Sequence, residues 1–328
     1  MRVCVATTVH HPEDARIMHR QIRALLDAGH EVTYVAPFTY FNVTPMPPIT
    51  PIDVPYRGSG RSALRRGVRG ADLLIVHDLA LLRSLPFRRP PVVWDDRESA
   101  PSFARSRARR RHHLLVAPEA TQVSSAPPKP GDTRLVHIGR LSAERGVSEL
   151  IGVAERLIPH GIRLDLIGAA DPAIRPLLRD AQRVGLLDWF GYVPNRHALR
   201  MAEGALAGLS LAHPEVEGAP TKVLDYMGRG LPVITTPQAA PLVERARCGL
   251  VVPLDVDAVV QAVLDLKEDP VRRGEMGARG HLEASLHHHW PDHAPAFVAG
   301  MEECAAPRDV RGRRPDRPAA RYARVGPR

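Results

Sequence analysis

"RVCVATTVHHPEDARIMHRQIRALLDAGHEVTYVAP", residues 2–37, decides the fold. Its first part, RVCVATT (2–8), is apolar and β-branched and reads as a buried strand. Asp14 is placed to cap a helix in which Ile17, Ile22, Leu25 and Leu26 fall near one face, and Gly29 ends it. EVTYVAP (31–37) is the next strand. Strand, helix and strand follow within about thirty residues, which is a βαβ unit and the building block of a parallel sheet.

The same alternation continues outward. The proline-rich stretch 45–55 reads as loop and the arginine-rich stretch 57–70 as loop and surface helix. ADLLIVHD (71–78) and PVVWDDRES (91–99) are buried strands with polar residues at their C-terminal ends, where open α/β sheets bind ligands. Residues 100–132 break the pattern with the charge run RSRARRRHH and the linker SSAPPKPGD. The alternation then restarts: TRLVHIG strand, 146–158 helix, RLDLIG strand, 172–184 helix, WFGYV short strand, 195–203 helix, LAGLSLA strand. PVITT and GLVVP are later strands, and 255–303 reads as mostly helical.

A chain of 328 residues is too long for one ordinary core. The expected division is an N-terminal Rossmann-like domain over 1–125, a linker over 126–132, a C-terminal domain over 133–305 and a disordered basic tail over 306–328. Strand C-termini are expected to face a cleft between the domains.

The bulk numbers narrow the compartment. There is no apolar run of membrane-spanning length and no signal-peptide layout, and Cys4, Cys248 and Cys304 form no disulfide or zinc pattern. A cytoplasmic protein is expected. Residues 1–130 carry 19 basic against 11 acidic residues, 131–306 carry 18 against 23, and 307–328 carry 8 against 2. A basic first half fits an anionic substrate, an anionic membrane face or nucleic acid.

Two segments carry chemistry. In HIGRLSAERG (137–146), Arg140 and Arg145 flank a loop between a strand ending at Gly139 and a helix. Guanidinium groups and helix-terminal amides suit phosphate oxygens, although two surface arginines would satisfy the same pattern. In EGAPTKVLDYMGRGLPVITT (217–236), Glu217 and Asp225 lie eight residues apart. Gly218 permits close backbone approach, and Thr221 can cap a helix from Lys222. Asp225 can accept two vicinal hydroxyls, as on a ribose, and Glu217 another hydroxyl cluster. A capped surface helix with ordinary acids is the plainer alternative.

These segments, with GYVPNRHALRMAEGALAGLSL (191–211) and GLVVPLDVDAVVQAV (249–263), resemble the C-terminal domain of glycosyltransferase family 4 in order and spacing. VHHPEDARIMHRQIRALLDAGHEVTYVAP, VHDLALL and VVWDDRE are similar to the first domain of its polysaccharide and glycolipid members. The resemblance covers roughly 1–99 and 133–303. It implies a GT-B fold and transfer of a sugar from a nucleoside-diphosphate sugar to a glycan, lipid-linked or small-molecule acceptor, usually with retention and without a metal or other cofactor.

Carried over by position, Arg140 and Arg145 would hold the donor diphosphate, Glu217 the transferred sugar and Asp225 the ribose. Lys222 would add positive charge, and the backbone at Tyr192 and Val193 would meet the base. Gly139 and the loop Gly218, Ala219, Pro220 and Thr221 complete the donor side. On the acceptor side stand His10, His11, Asp14, His77, Asp78, Arg97 and Glu98. Similar members read Asp-x-His-Glu where this chain has WDDRE, so Arg97 replaces a histidine. The stretch 100–132 is shorter than usual, so a shortened first domain is expected.

Other signals are plainer. HHHW (287–290) reads as a helix end rather than a metal site. The arginine runs 57–70 and 105–111 fit either an anionic lipid surface or a solvated face. They lack interleaved aromatics, so no nucleic-acid partner is expected. No P-loop or dinucleotide fingerprint is present. A nucleotide-binding or scaffold protein that has lost transfer is the alternative to an enzyme.

Overall fold

The opening βαβ forms as read. β1 (Arg2–Ala6) and β2 (Glu31–Ala36) pair in parallel, Arg2 opposite Glu31 and Ala6 opposite Val35. The Asp14 carboxylate accepts the backbone N–H groups of Arg16 and Ile17 at 2.9 and 3.0 Å, a helix cap. The helix begins as a π turn over Ile17–Ile22 and becomes α over Arg23–Asp27. Ile17, Ile22 and Leu25 are fully buried, and Leu26 is half-buried.

The structure is a computed structural model that describes residues 1–95, 113–115, 119–215 and 221–306. The chain divides into two units, Met1–Pro118 with the chain from Pro291, and Glu119–Trp290. Residues 119–125, assigned from sequence to the first domain, therefore lie in the second unit. Residues 291–305, assigned to the second, lie in the first: the helix Trp290–Ala305 bears Glu302, whose carboxylate meets His30 Nε2 at 3.0 Å.

The first sheet adds β3 (Thr50–Asp53), β4 (Leu73–Val76), β5 (Val92–Asp95) and β6 (His113–Leu115) in the order β3-β2-β1-β4-β5-β6, all parallel. β3 falls in the proline-rich stretch read as loop. Pro51 is tolerated there because β3 is an edge strand, with one side free of ladder bonds. β6 falls in the stretch 100–132, so the first sheet has as many described strands as the second. The helix Arg61–Gly67 packs Ala63 and Leu64 against Cys4, Val35 and Leu74 on one face of the sheet.

The second unit repeats the plan. β7 (Arg134–Ile138), β8 (Arg163–Ile167), β9 (Leu187–Trp189), β10 (Ala207–Ser210), β11 (Val233–Thr235) and β12 (Gly249–Val251) form a parallel sheet in the order β12-β11-β10-β7-β8-β9. β9 lies slightly earlier than the WFGYV read from sequence. Helices Val147–Leu157, Arg175–Arg183 and Val256–Glu268 cover one face through Leu150, Leu178 and Val263; Asn195–Ala202, Thr221–Met227 and Ala240–Ala246 cover the other through Leu199, Val223 and Val243.

Each sheet starts at its centre, builds to one side, then returns to build the other. The strand order reverses between β1 and β4 and between β7 and β10. Loops leaving the carboxyl ends there run apart, and the crevice they leave is where such sheets bind ligands.

Candidate functional site

The reversal in the second unit is built around one hydroxyl. β7 and β10 pair only at Leu135 with Ala207 and Val136 with Gly208. Beyond that pair the Tyr226 hydroxyl accepts from the Ile138 N–H at 2.8 Å and donates to the Leu209 carbonyl at 3.0 Å. It takes the place of the next ladder bond and holds the strand ends apart. Burial pushes this phenol up, so it stays protonated. A Cβ on Gly208 would stand 2.3 Å from the Tyr226 ring. Gly208→Ala is therefore expected to displace the ring and to lower stability by about 1–3 kcal/mol, measured by chemical denaturation. An unchanged midpoint would show that the ring does not fix this junction.

Alongside, the β7–β8 ladder continues past its strands, with Gly139 N–H to Ile167 O at 2.9 Å and Leu141 N–H to Ala169 O at 2.9 Å. The backbones approach so closely that a Cβ on Gly168 would stand 1.8 Å from the Gly139 carbonyl oxygen. This junction aims the loop of Arg140 and Arg145 over the carboxyl end of β7.

Three basic side chains converge there. The Lys222 Nζ lies 3.5 Å from His137 Nε2 and 3.7 Å from where a Cβ on Gly139 would stand. Burial, reinforced by Arg145, lowers Lys222 from 10.5 to about 7. Burial, followed by the charges of Lys222 and Arg145, holds His137 well below 6.5, so it is neutral and can accept from the ammonium. Arg145 is itself lowered by burial and by Arg140. Arg140 forms a two-pronged pair with Asp171, Nε to Oδ1 at 2.8 Å and Nη2 to Oδ2 at 3.0 Å. Like charges gathered in a partly dry site raise one another's cost, and a bound anion relieves it.

The remaining donor-side expectations divide. Thr221 is the first residue of its helix rather than a cap before Lys222. Asp225 is 6% exposed, and its Oδ1 accepts the Thr121 hydroxyl at 2.5 Å. Tyr192 is exposed and Val193 packs against the second face of the sheet. Glu217, Gly218, Ala219 and Pro220 lie outside the described residues.

In the first unit the carboxyl ends of β1, β4 and β5 bring polar residues together. Asp95 is fully buried. Arg16 grips it with Nε to Oδ2 at 3.0 Å and Nη2 to Oδ1 at 2.5 Å, Gln21 Nε2 donates at 2.7 Å, and His77 Nδ1 faces it across 3.3 Å. Burial alone would raise this carboxyl, but Arg16 and His77 overcome it and hold it far below the usual range. In an α-helix, residues five apart stand roughly 140° around the axis. The wider π turn, with Gln21 N–H bonded to Arg16 O, closes most of that angle and lets Arg16 and Gln21 reach one carboxylate.

Asp78 is buried and accepts the Thr8 backbone N–H, the Thr8 hydroxyl at 3.1 Å and the Thr7 hydroxyl at 3.3 Å, bracing the loop after β1. His10 Nε2 stands 3.9 Å from it. His11 Nδ1 accepts from Glu13 N–H, its ring lies against Phe41, and burial lowers it to about 4. Arg97 and Glu98 lie outside the described residues. Two of the three histidines at 287–289 are tethers: His288 Nδ1 meets Glu119 O at 2.8 Å, and His289 Nδ1 accepts from Val123 N–H at 3.3 Å.

Sequence reading did not single out His137, Asp171, Tyr226 or Thr121. A signal existed for His137, a lone polar residue inside the apolar run RLVHI.

Residues 132–269 match the family model described as glycosyl transferases group 1. A GDP-mannose-dependent alpha-(1-6)-phosphatidylinositol monomannoside mannosyltransferase of Mycolicibacterium smegmatis is 29% identical over 202 residues, 58% of this chain and 49% of the relative. The chain thus spans about half the length of that curated relative. Among solved structures, sucrose-phosphate synthase from Thermosynechococcus elongatus is similar with a TM-score of 0.69 at 16% identity, over 92% of this chain and 98% of that one. HepE of Anabaena, solved with UDP and glucose, has a TM-score of 0.69 at 13% identity, over 92% and 99%. The chain has the α/β fold of the GT-B glycosyltransferases, two Rossmann-like units each on a parallel sheet.

Proposed function

We propose that the chain is a glycosyltransferase that moves a sugar from a nucleoside-diphosphate sugar to a glycan, lipid-linked or small-molecule acceptor. The observation that carries this reading is the cluster of Arg140, Arg145 and Lys222 at the β7–β10 reversal, with Lys222 depressed to about 7. A diphosphate there is held by two guanidinium groups and an ammonium. As the bond from the sugar's anomeric carbon to the diphosphate breaks, charge grows on the departing oxygen. The two guanidinium groups already in place, with the ammonium that the bound diphosphate recharges, then bind the transition state more strongly than the ground state.

Glu217 is proposed to contact the sugar, Asp225 the ribose, and the backbone at Tyr192 and Val193 the base. Retention of configuration follows the family resemblance. The three cations supply the neutralisation for which a divalent ion is otherwise recruited, so no metal is included. The donor is proposed from the UDP and GDP sugars, after the solved and curated relatives. No helix among the described residues is long and apolar enough to cross a membrane. We place the enzyme in the cytoplasm, resting on the inner membrane face when its acceptor is lipid-linked.

The test is a panel of nucleotide sugars followed for both binding and turnover. Arg140→Ala and Asp225→Ala are expected to weaken binding or turnover; if neither changes either quantity, the site is misassigned. A second reading, nucleotide binding without transfer, is favoured by the engagement of Asp225 with Thr121. Binding across the panel with no product would select it.

A further inference from the structure

We propose that the amino-terminal edge of the first sheet is a docking surface for anionic lipid headgroups. This rests on the membrane-face part of the reading above and gives it a place on the molecule. Residues 65–71 lead into β4 and residues 86–90 lead into β5, so both segments lie at the end of the sheet opposite Asp78 and Asp95. Between them runs a groove of about 380 Å³ lined by Arg65, Arg69, Arg88 and Arg89, with Val68 and Pro86 in its floor.

The charge there is uncompensated among the described residues. Residues 61–90 hold seven arginines and two aspartates. Asp78 is buried among threonine donors, and Asp72 accepts the Arg2 backbone N–H at 2.7 Å. Arg89 braces its own loop, donating to the Pro86 carbonyl at 2.8 Å. Arg65, Arg69 and Arg88 meet no carboxylate among the described residues. Guanidinium groups set around a groove suit phosphate oxygens.

Phe87 decides between lipid and other phosphate carriers. It is 97% exposed, at the centre of the loop Pro86–Arg89. A free phosphate, or a duplex whose bases stay stacked inside it, has no use for an aromatic ring held out in water. At a bilayer surface the ring enters the interface while neighbouring arginines take the headgroup phosphates. The basic stretch 307–328 shares the groove's sign, so charge does not favour it as the occupant.

Flotation of the full chain with phosphatidylcholine vesicles, with and without phosphatidylglycerol, tests this. Binding is expected only to the anionic vesicles, weakening as salt rises. Arg65→Gln, Arg69→Gln and Arg88→Gln should each weaken it about five-fold. Phe87→Ser should weaken it while leaving the salt slope unchanged. All four variants should keep the thermal shift produced by the nucleoside diphosphate, since all four lie in the first unit and outside the cluster of Arg140, Arg145 and Lys222. Equal binding to neutral vesicles, or anionic binding that survives the triple arginine variant, overturns the proposal. Tight capture of a duplex oligonucleotide that is indifferent to Phe87→Ser also overturns it, in favour of nucleic acid. No vesicle binding alongside an intact nucleotide shift removes the docking surface and leaves the transferase reading standing.

Discussion

Asp95→Asn is expected to lower the unfolding free energy by about 3–5 kcal/mol, because it strips the counter-charge from a buried guanidinium. Arg16 is 4% exposed and spends two nitrogens on Asp95, with Gln21 on the same carboxylate. An Asn at 95 offers one oxygen and an amide that points donors at donors. Removing both charges should cost less than removing one, so Arg16→Met with Asp95→Leu should recover part of the loss. Urea unfolding of the three variants measures this. A loss below about 1 kcal/mol for Asp95→Asn, the size of a solvated pair, would contradict it. The sign with pH also follows. A carboxyl held far below its ordinary 3.8 stabilises the fold fully above that pH, and the contribution is lost progressively as pH falls from there toward the folded value.

The second large effect lies in the chemistry. Arg145→Ala should lower kcat by about 10²–10³, the range for removing a preorganised charge from a developing anion. Arg145 is half-buried, and its guanidinium is coupled to both Lys222 and Arg140. Arg140→Ala is expected to do less, because Arg140 is exposed and already shares its guanidinium with Asp171. Steady-state kinetics with the best donor of the panel gives the comparison. Equal effects at the two positions would contradict the ranking, and an unchanged kcat for Arg145→Ala would remove it from the chemistry.

Local pattern made much of the fold legible. Strands such as RVCVA and RLVHI are short apolar runs bounded by turn residues, and each helix between them carries a buried face. Asp14 was readable as a cap because capping needs only a side chain and the next amides. β3 was not, because Pro51 argues against a strand unless the edge position is known. The π turn was not, because residues five apart share a face only once the winding has changed.

The cations of the site were legible for a similar reason. Arg140, Arg145 and Lys222 lie in segments whose order carries a family pattern, and their charges needed no partner to be noticed. Their neighbours were not. His137 meets Lys222 across 85 positions, Tyr226 closes a gap between two strands, and Thr121 reaches Asp225 across 104. Such pairings arise from the sheet order and leave no local trace. Of the two acids expected to meet the sugar and the ribose, Asp225 is buried on Thr121, and Glu217 lies outside the described residues.

The central claim is that this cationic junction receives a diphosphate, and proton uptake tests it most directly. In the free protein Lys222 titrates at about 7, so at pH 8 it is mostly neutral. A bound diphosphate favours the ammonium and raises that value. Nucleoside diphosphate binding at pH 8, followed by calorimetry in buffers of different ionisation heat, should therefore take up close to one proton per site. The uptake should vanish in Lys222→Gln, and a nucleoside without phosphate should not produce it. Tight diphosphate binding with no proton taken up, or with uptake unchanged in Lys222→Gln, would place the phosphates elsewhere and contradict the account.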